Sequence, residues 1–218
     1  GTPIVVTGAQ RCGTTWFGQM IHVPGVRLYH EPLGRYGRLW NPENVKKFDN
    51  GIDLIGLERC IHRIVSGTEW ESYTRRHWKQ NMRRSTRLSP IRLFGDKSGV
   101  PVIKDPTCVG LLPEIANCNS FRFVILVRHP CGYVASLKRL NWNPKPRTEL
   151  LLNHHAFFSQ FSNDSDELQS LKNAIHSGSF IEVATIQYSL LIQLAWKFCQ
   201  QNPSNSHYFV YDKLAQDP

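Results

Sequence analysis

The chain has 218 residues, 41% of them hydrophobic and 20% charged, which suits one ordinary globular domain able to bury its own core. No run of about 18 apolar residues occurs, which excludes a membrane-spanning helix on the usual length criterion. The formal net charge of +9 favours anionic partners, whether nucleotide, nucleic acid, acidic glycan or membrane surface, without choosing among them.

In chain order, five short runs rich in Val, Ile, Phe and Tyr predict strands: Ile4–Thr7, Val26–His30, Val100–Lys104, Phe121–Val127 and Tyr208–Tyr211. The first and fourth are nearly continuous apolar runs, the pattern of strands covered on both faces by helices. Helical patterns fill the gaps. Thr14–His22 follows the first strand and Gly132–Leu140 the fourth. The longest, Ile181–Gln201, repeats Ile186, Leu190, Leu194 and Phe198 at a spacing of four. Between the second and third strands, Glu71–Lys97 has a different texture, basic and broken near Pro90 and Gly95, and reads as helix plus loop inserted into the same domain. The closing residues from Tyr211 begin a further helix, so part of the natural fold is expected to lie beyond residue 218.

Alternating strands and helices imply an α/β fold in three layers, a mostly parallel sheet of about five strands flanked by helices, forming one domain over 1–218. Ligands of such sheets bind beyond the carboxyl ends of the strands, so the residues just after each strand are the ones to read.

After the first strand comes Gly8-Ala9-Gln10-Arg11-Cys12-Gly13-Thr14-Thr15. Two glycines frame four residues, as in a P-loop, which turns backbone N–H groups inward and aims a helix N-terminus at an anion. The usual P-loop continues with a lysine that reaches the terminal phosphates. Thr14 stands there instead, and the nearest positive charge is Arg11. A kinase or nucleotidase without that lysine loses its main clamp and should also place a magnesium-binding carboxylate at another strand end. The fourth strand instead ends Val127-Arg128-His129-Pro130. The loop therefore suits a phosphate-like anion handled without metal. Eight residues after Arg128, Ser136 falls in the following helix, close enough for one guanidinium and one hydroxyl to converge on a single phosphate. Two anion sites at two strand ends match a cofactor with phosphate at both ends of its ribose.

These motifs are similar to those of a known family. Arg11-Cys12-Gly13-Thr14-Thr15 resembles the 5′-phosphosulfate loop of sulfotransferases that use 3′-phosphoadenosine 5′-phosphosulfate (PAPS), commonly Arg/Lys-Ser-Gly-Thr-Thr. Val127-Arg128-His129-Pro130 with Ser136 resembles their 3′-phosphate motif. Tyr211-Asp212-Lys213-Leu214, followed by Asp217-Pro218, resembles a stretch before the family's last helices. The resemblance implies a P-loop NTPase-like fold, PAPS as cofactor without a metal, and cofactor contacts from Arg11, Cys12, Gly13, Thr14, Thr15, Arg128 and Ser136. Cys12 departs from the usual serine and removes a hydroxyl while keeping the backbone cradle.

For the chemistry, Arg11 is the candidate stabiliser of charge on the departing 5′-phosphate. The second strand ends Tyr29-His30-Glu31-Pro32, and Glu31 is the candidate base, as the resemblance supports. His30 is its competitor, since adjacent strand residues face opposite sides. Lys104 and Asp105 end the third strand and can line the same cleft. Between Arg75 and Lys97 eight basic residues (Arg75, Arg76, Lys79, Arg83, Arg84, Arg87, Arg92, Lys97) face one acidic residue, Asp96, with Trp70, Tyr73 and Trp78 nearby. Basic side chains interleaved with aromatics suit a glycan acceptor, and also nucleic acid. The expected partner is a hydroxyl-bearing acceptor, of carbohydrate class, rather than nucleic acid.

Cys12, Cys60, Cys108, Cys118, Cys131 and Cys199 form no C-x-x-C pair, which argues against structural zinc; six reduced, mostly buried thiols are expected. A cytoplasmic location is the expectation, with a lumenal protein trimmed before Gly1-Thr2-Pro3 as the alternative. Asn163-Asp164-Ser165 is a glycosylation-type triplet that decides little. Two rivals make different predictions. A P-loop kinase or nucleotidase should bind ATP with magnesium, and a basic nucleic-acid-binding module should bind oligonucleotides with a steep salt dependence.

Overall fold

The computed structural model describes residues 1–33, 54–68, 99–153 and 165–216. The basic stretch 71–97 with its aromatics, the first two residues of the triplet at 163–165, and Asp217-Pro218 lie outside the described residues. The strands are β1 (Ile4–Gly8), β2 (Val26–His30), β3 (Val100–Lys104), β4 (Arg122–Val127) and β5 (Ser206–Val210). They form one sheet in the order β2-β3-β1-β4-β5, and every pairing in it is parallel. The expected three-layer α/β architecture is therefore the observed one.

The described helices are α1 (Thr14–Met20), α2 (Leu54–Ser66), α3 (Leu112–Cys118), α4 (Pro130–Arg139), α5 (Lys145–Asn153), α6 (Ser165–Ser177), α7 (Phe180–Gln201) and the short α8 (Tyr211–Leu214), with a 3₁₀ helix over Pro106–Leu111. Successive residues of β1 point to opposite faces of the sheet, and each face has its own core. Val5, with Tyr29, Ile103, Phe123 and Ile125, belongs to the larger cluster, which Leu190, Leu194 and Phe198 of α7 complete. Val6 joins Val102 and Leu126 in the smaller cluster, against Phe17 and Ile21 at the end of α1 and Leu214 of α8. Burial on both faces explains the unbroken apolar runs.

Element ends follow local chemistry. α7 begins in a capping box: Glu182 N–H donates to Ser179 Oγ, and Ser179 N–H to Glu182 Oε2 at 2.7 Å. α4 starts at Pro130, two residues before the expected Gly132, because proline is well suited to the first helical position and His129 caps it by accepting the Cys131 N–H. β5 runs from Ser206 rather than Tyr208, since parallel pairing of Ser206 with Phe123 extends it through polar residues that carry no strand signal. Tyr211 opens α8 instead of closing that strand.

None of the six cysteines is joined in a disulfide; Cys12, Cys60 and Cys108 are buried, and Cys131 is exposed. Among the described residues, no helix is long and apolar enough to cross a membrane, and no cluster of three His, Cys, Asp or Glu could hold a metal ion.

Candidate active site

β1 lies between β3 and β4, and the loop that leaves it is shaped by three residues with positive φ: Gly8, Arg11 and Gly13. At Gly8 (φ 151°) a Cβ would overlap the carbonyl oxygen of Leu126, so only glycine lets β1 end flush against β4. Gly13 (φ 88°) then precedes α1 without any side-chain cap. The first N–H groups of a helix have no partner inside it, so the loop presents uncapped donors from Thr14 onward. Thr14 is buried and Thr15 exposed at this turn.

Cys12 takes a different place from its neighbours. Its side chain is fully buried in the larger core cluster, and its N–H donates to Ala9 O at 3.1 Å, closing the turn. Burial pushes the thiol up to about 12, while a hydrogen bond from the Arg128 backbone pulls it down. Neither its thiol nor its amide faces the cleft. The expected cofactor contact from Cys12 is replaced by a structural link between the loops after β1 and β4.

Arg11 is the residue that links Ser136, which is buried, to Arg128. Arg11 Nε donates to Ser136 Oγ at 3.1 Å, and Arg128 Nη1 donates to the Arg11 carbonyl at 3.2 Å. These contacts span 125 and 117 positions of sequence. The Arg128 stem lies over the bare Cα of Gly132, where a Cβ would come within 2.8 Å of Nε. That Nε is buried and has no hydrogen-bond partner. A buried donor left unpaired costs about 1–3 kcal/mol, and a bound anion would recover it.

Across the cleft, Glu31 leaves β2 with φ 53°, a left-handed conformation unusual for glutamate. The turn breaks the strand alternation, so both candidate bases approach one lysine instead of facing opposite ways. Lys104 Nζ donates to Glu31 Oε1 at 2.6 Å and lies 3.4 Å from His30 Nε2. Lys104 is 1% exposed, against 45% for Glu31. Its stem is covered by α1, where a Cβ on Gly18 would touch Lys104 Cγ at 3.3 Å. A lysine buried this deeply needs a partner, and Glu31 is it. Asp105 turns the other way. It accepts Leu33 N–H at 2.8 Å, Thr107 N–H at 2.9 Å and the Thr107 hydroxyl at 2.6 Å. Burial raises its carboxyl against those bonds. It caps the 3₁₀ helix and anchors the segment after Glu31.

These groups share a cleft of about 340 Å³, lined by Arg11, Thr14, Thr15, Glu31, Lys104 and Arg128. Sequence reasoning did not place Trp16, Arg139 or Trp142 there, yet they complete its walls. Trp16 directly follows the loop, and that adjacency was a usable signal. Trp142, 40% exposed, lies in the turn after α4, and the guanidinium carbons of Arg11 and Arg147 lie 5.8 and 5.5 Å from its ring centroid. Tyr211 rests on Gly13, with Trp16 edge-on at 5.6 Å.

No protein-family model matches the chain, and no curated protein matches it. Among solved structures it is similar to a sulfotransferase domain from the curacin biosynthetic pathway, with a TM-score of 0.49 and 15% identity, covering 100% of this chain and 69% of that one. It is also similar to a sulfotransferase from Alicyclobacillus acidocaldarius, with a TM-score of 0.41 and 13% identity, covering 100% of this chain and 76% of the other. At those values neither neighbour decides what this chain does.

Proposed function

We propose that the chain moves a sulfuryl group from PAPS to a hydroxyl-bearing acceptor of the carbohydrate class. The observation that carries this reading is the meeting of a lysine-less phosphate loop with Arg128 and Ser136 at Arg11, across one cleft from Glu31.

The residues present fit such a cofactor. The uncapped start of α1 offers N–H donors to one anionic end, and the unpartnered Arg128 Nε, with Ser136 nearby, offers a second site for the other. When bound, PAPS supplies a sulfuryl group on a good phosphate leaving group, and the chain's own residues supply placement and proton transfer. Thr14, Thr15 and the loop amides hold the 5′ end, while Arg128 and Ser136 hold the 3′-phosphate. Arg11, fixed by its bond to Ser136, directs its guanidinium at the charge that develops on the departing side, a kind of donor worth ~10²–10³ in rate. Glu31 Oε accepts the proton of the acceptor hydroxyl and, being half exposed, returns it to solvent. A base in reach contributes roughly 10²–10⁴. Lys104 fixes the carboxylate from below.

Support for a carbohydrate acceptor comes from Trp142 and Arg139 on the cleft wall, an exposed aromatic beside a cation, and from the basic composition of 71–97. Calorimetric titration with adenosine 3′,5′-bisphosphate, set beside ATP with magnesium, tests the cofactor. Tight, metal-independent binding of the bisphosphate with weak ATP is the expected result. Preference for magnesium-ATP would overturn the reading in favour of a kinase or nucleotidase.

A further inference from the structure

Three successive backbone groups after β4 are each taken by a side chain from a distant part of the chain. The Arg128 N–H meets the buried sulfur of Cys12. The Arg128 carbonyl accepts the Tyr188 hydroxyl, from the middle of α7. The His129 N–H donates to Asp212 Oδ2 at 2.7 Å, from α8. The peptide between Arg128 and His129 is therefore gripped on both its faces, by residues 60 and 83 positions away.

The grip is stiff on the Tyr188 side. Its ring is 7% exposed and packs on Tyr133 at 5.0 Å between centroids. Tyr133 in turn donates to Gln187 Oε1 at 2.6 Å, and Gln187 Nε2 donates to the Pro144 carbonyl at 3.3 Å. The hydroxyl thus has little room to follow a moving loop. Asp212 places a carboxylate at the edge of a basic site, where its charge disfavours a nearby anion; what it contributes there is the bond to His129 N–H. Arginine carries its guanidinium at the end of a long stem, so a small rotation of this peptide becomes a large displacement of Nε and the Nη atoms. Misplacement by about 1 Å at a binding group can cost on the order of 10²-fold in activity.

We propose that Tyr188 and Asp212 are positioning residues of the 3′-phosphate site: they fix the Arg128–His129 peptide so that the guanidinium is pre-set over Gly132, with Nη1 on the Arg11 carbonyl and Nε left for the ligand. This inference rests on the assignment of Arg128 to the 3′-phosphate made above. It is distinguishable from a general role in holding the fold, because it concerns one phosphate of a two-phosphate ligand.

The test is calorimetric binding of adenosine 3′,5′-bisphosphate and adenosine 5′-monophosphate to the wild type, Tyr188→Phe, Asp212→Ala and Asp212→Asn. In Tyr188→Phe the advantage of the bisphosphate over the monophosphate should fall on the order of tenfold, with monophosphate affinity unchanged. Asp212→Ala should lose several-fold of that advantage, and Asp212→Asn, which keeps an acceptor oxygen, should retain most of it. Equal loss of affinity for both nucleotides, or an undiminished advantage in Tyr188→Phe and Asp212→Ala, would overturn the proposal. If Tyr188→Phe does not fold, the two Asp212 variants decide. A wild type that shows no advantage for the bisphosphate refutes the 3′-phosphate assignment itself, a separate outcome that takes this inference down with it.

Discussion

The loop after β1 is shaped by its own backbone, with Gly8, Arg11 and Gly13 at positive φ, whereas no described residue from 127 to 136 has positive φ and that loop is held by Cys12, Tyr188 and Asp212. The first loop sets its path through the conformations of its own backbone, within eight consecutive residues, and those conformations bring it flush against β4. The second is a tertiary solution, in which a backbone without positive φ is pinned by partners from the first loop and from two helices, α7 and α8. Local loops should fail as folding defects, and pinned loops should fail as binding defects.

Gly8→Ala is the strongest test of that contrast. A side chain there overlaps the Leu126 carbonyl in a conformation L-residues rarely adopt, so a loss of about 3 kcal/mol or more in denaturant unfolding is expected. Gly25→Ala shares the positive φ but has open space around its Cβ, and should cost only about 1 kcal/mol. Equal losses would show that φ alone, not the contact with β4, decides. Next in size, Arg128→Ala should leave unfolding nearly unchanged and weaken bisphosphate binding by about 1.5–3 kcal/mol. Unaltered binding would remove Arg128 from the 3′-phosphate role. Glu31→Gln lies outside both loops and separates binding from chemistry: turnover should fall at least about tenfold while bisphosphate affinity holds. Turnover that stays at the wild-type level would take Glu31 out of the reaction.

The smallest effect concerns the thiol that joins the loops. An unfolded cysteine ionises near 9, whereas Cys12 in the fold is pushed up to about 12 by burial. Between those values the unfolded state binds fewer protons, so stability falls as pH rises, by about 1 kcal/mol from pH 9 to pH 10. Cys12→Ser removes that titration. The stability difference between wild type and variant, measured by denaturant unfolding at the two pH values, should shift by that amount in the variant's favour. A constant difference would mean that Cys12 is not buried as described.

The contrast also explains what could be read from the chain. Four of the strands matched within a residue because runs rich in β-branched and aromatic residues mark them, and the loop after β1 was legible because glycines mark the positions that need them. The helix α2 was not anticipated although Leu57, Cys60, Ile61 and Ile64, all buried, recur at spacings of three and four. The 3₁₀ helix and the short, polar α5 carry weaker signals. In the site, Arg128 and Ser136 were read as a pair and Arg11 separately, but the contact of Arg11 with both depends on β1 lying beside β4, which no local pattern encodes. Nor could alternation along β2 predict Glu31, whose left-handed turn brings it to the same lysine as His30. Tyr188 sits on a helix whose periodicity announces only a core residue.

The position of α1 has a further consequence. Its first residues face the phosphate loop, and its fifth, Gly18, rests on the stem of Lys104. A single short helix is thus the common wall of the glycine loop after β1 and of the Lys104–Glu31 pair, like a lintel shared by two doorways. In evolutionary terms such sharing limits drift: a substitution that tilts α1 to suit another anion also shifts the lysine beneath Glu31. The wall of the cleft that can change without moving α1 is the turn after α4 that carries Trp142, next to Arg139.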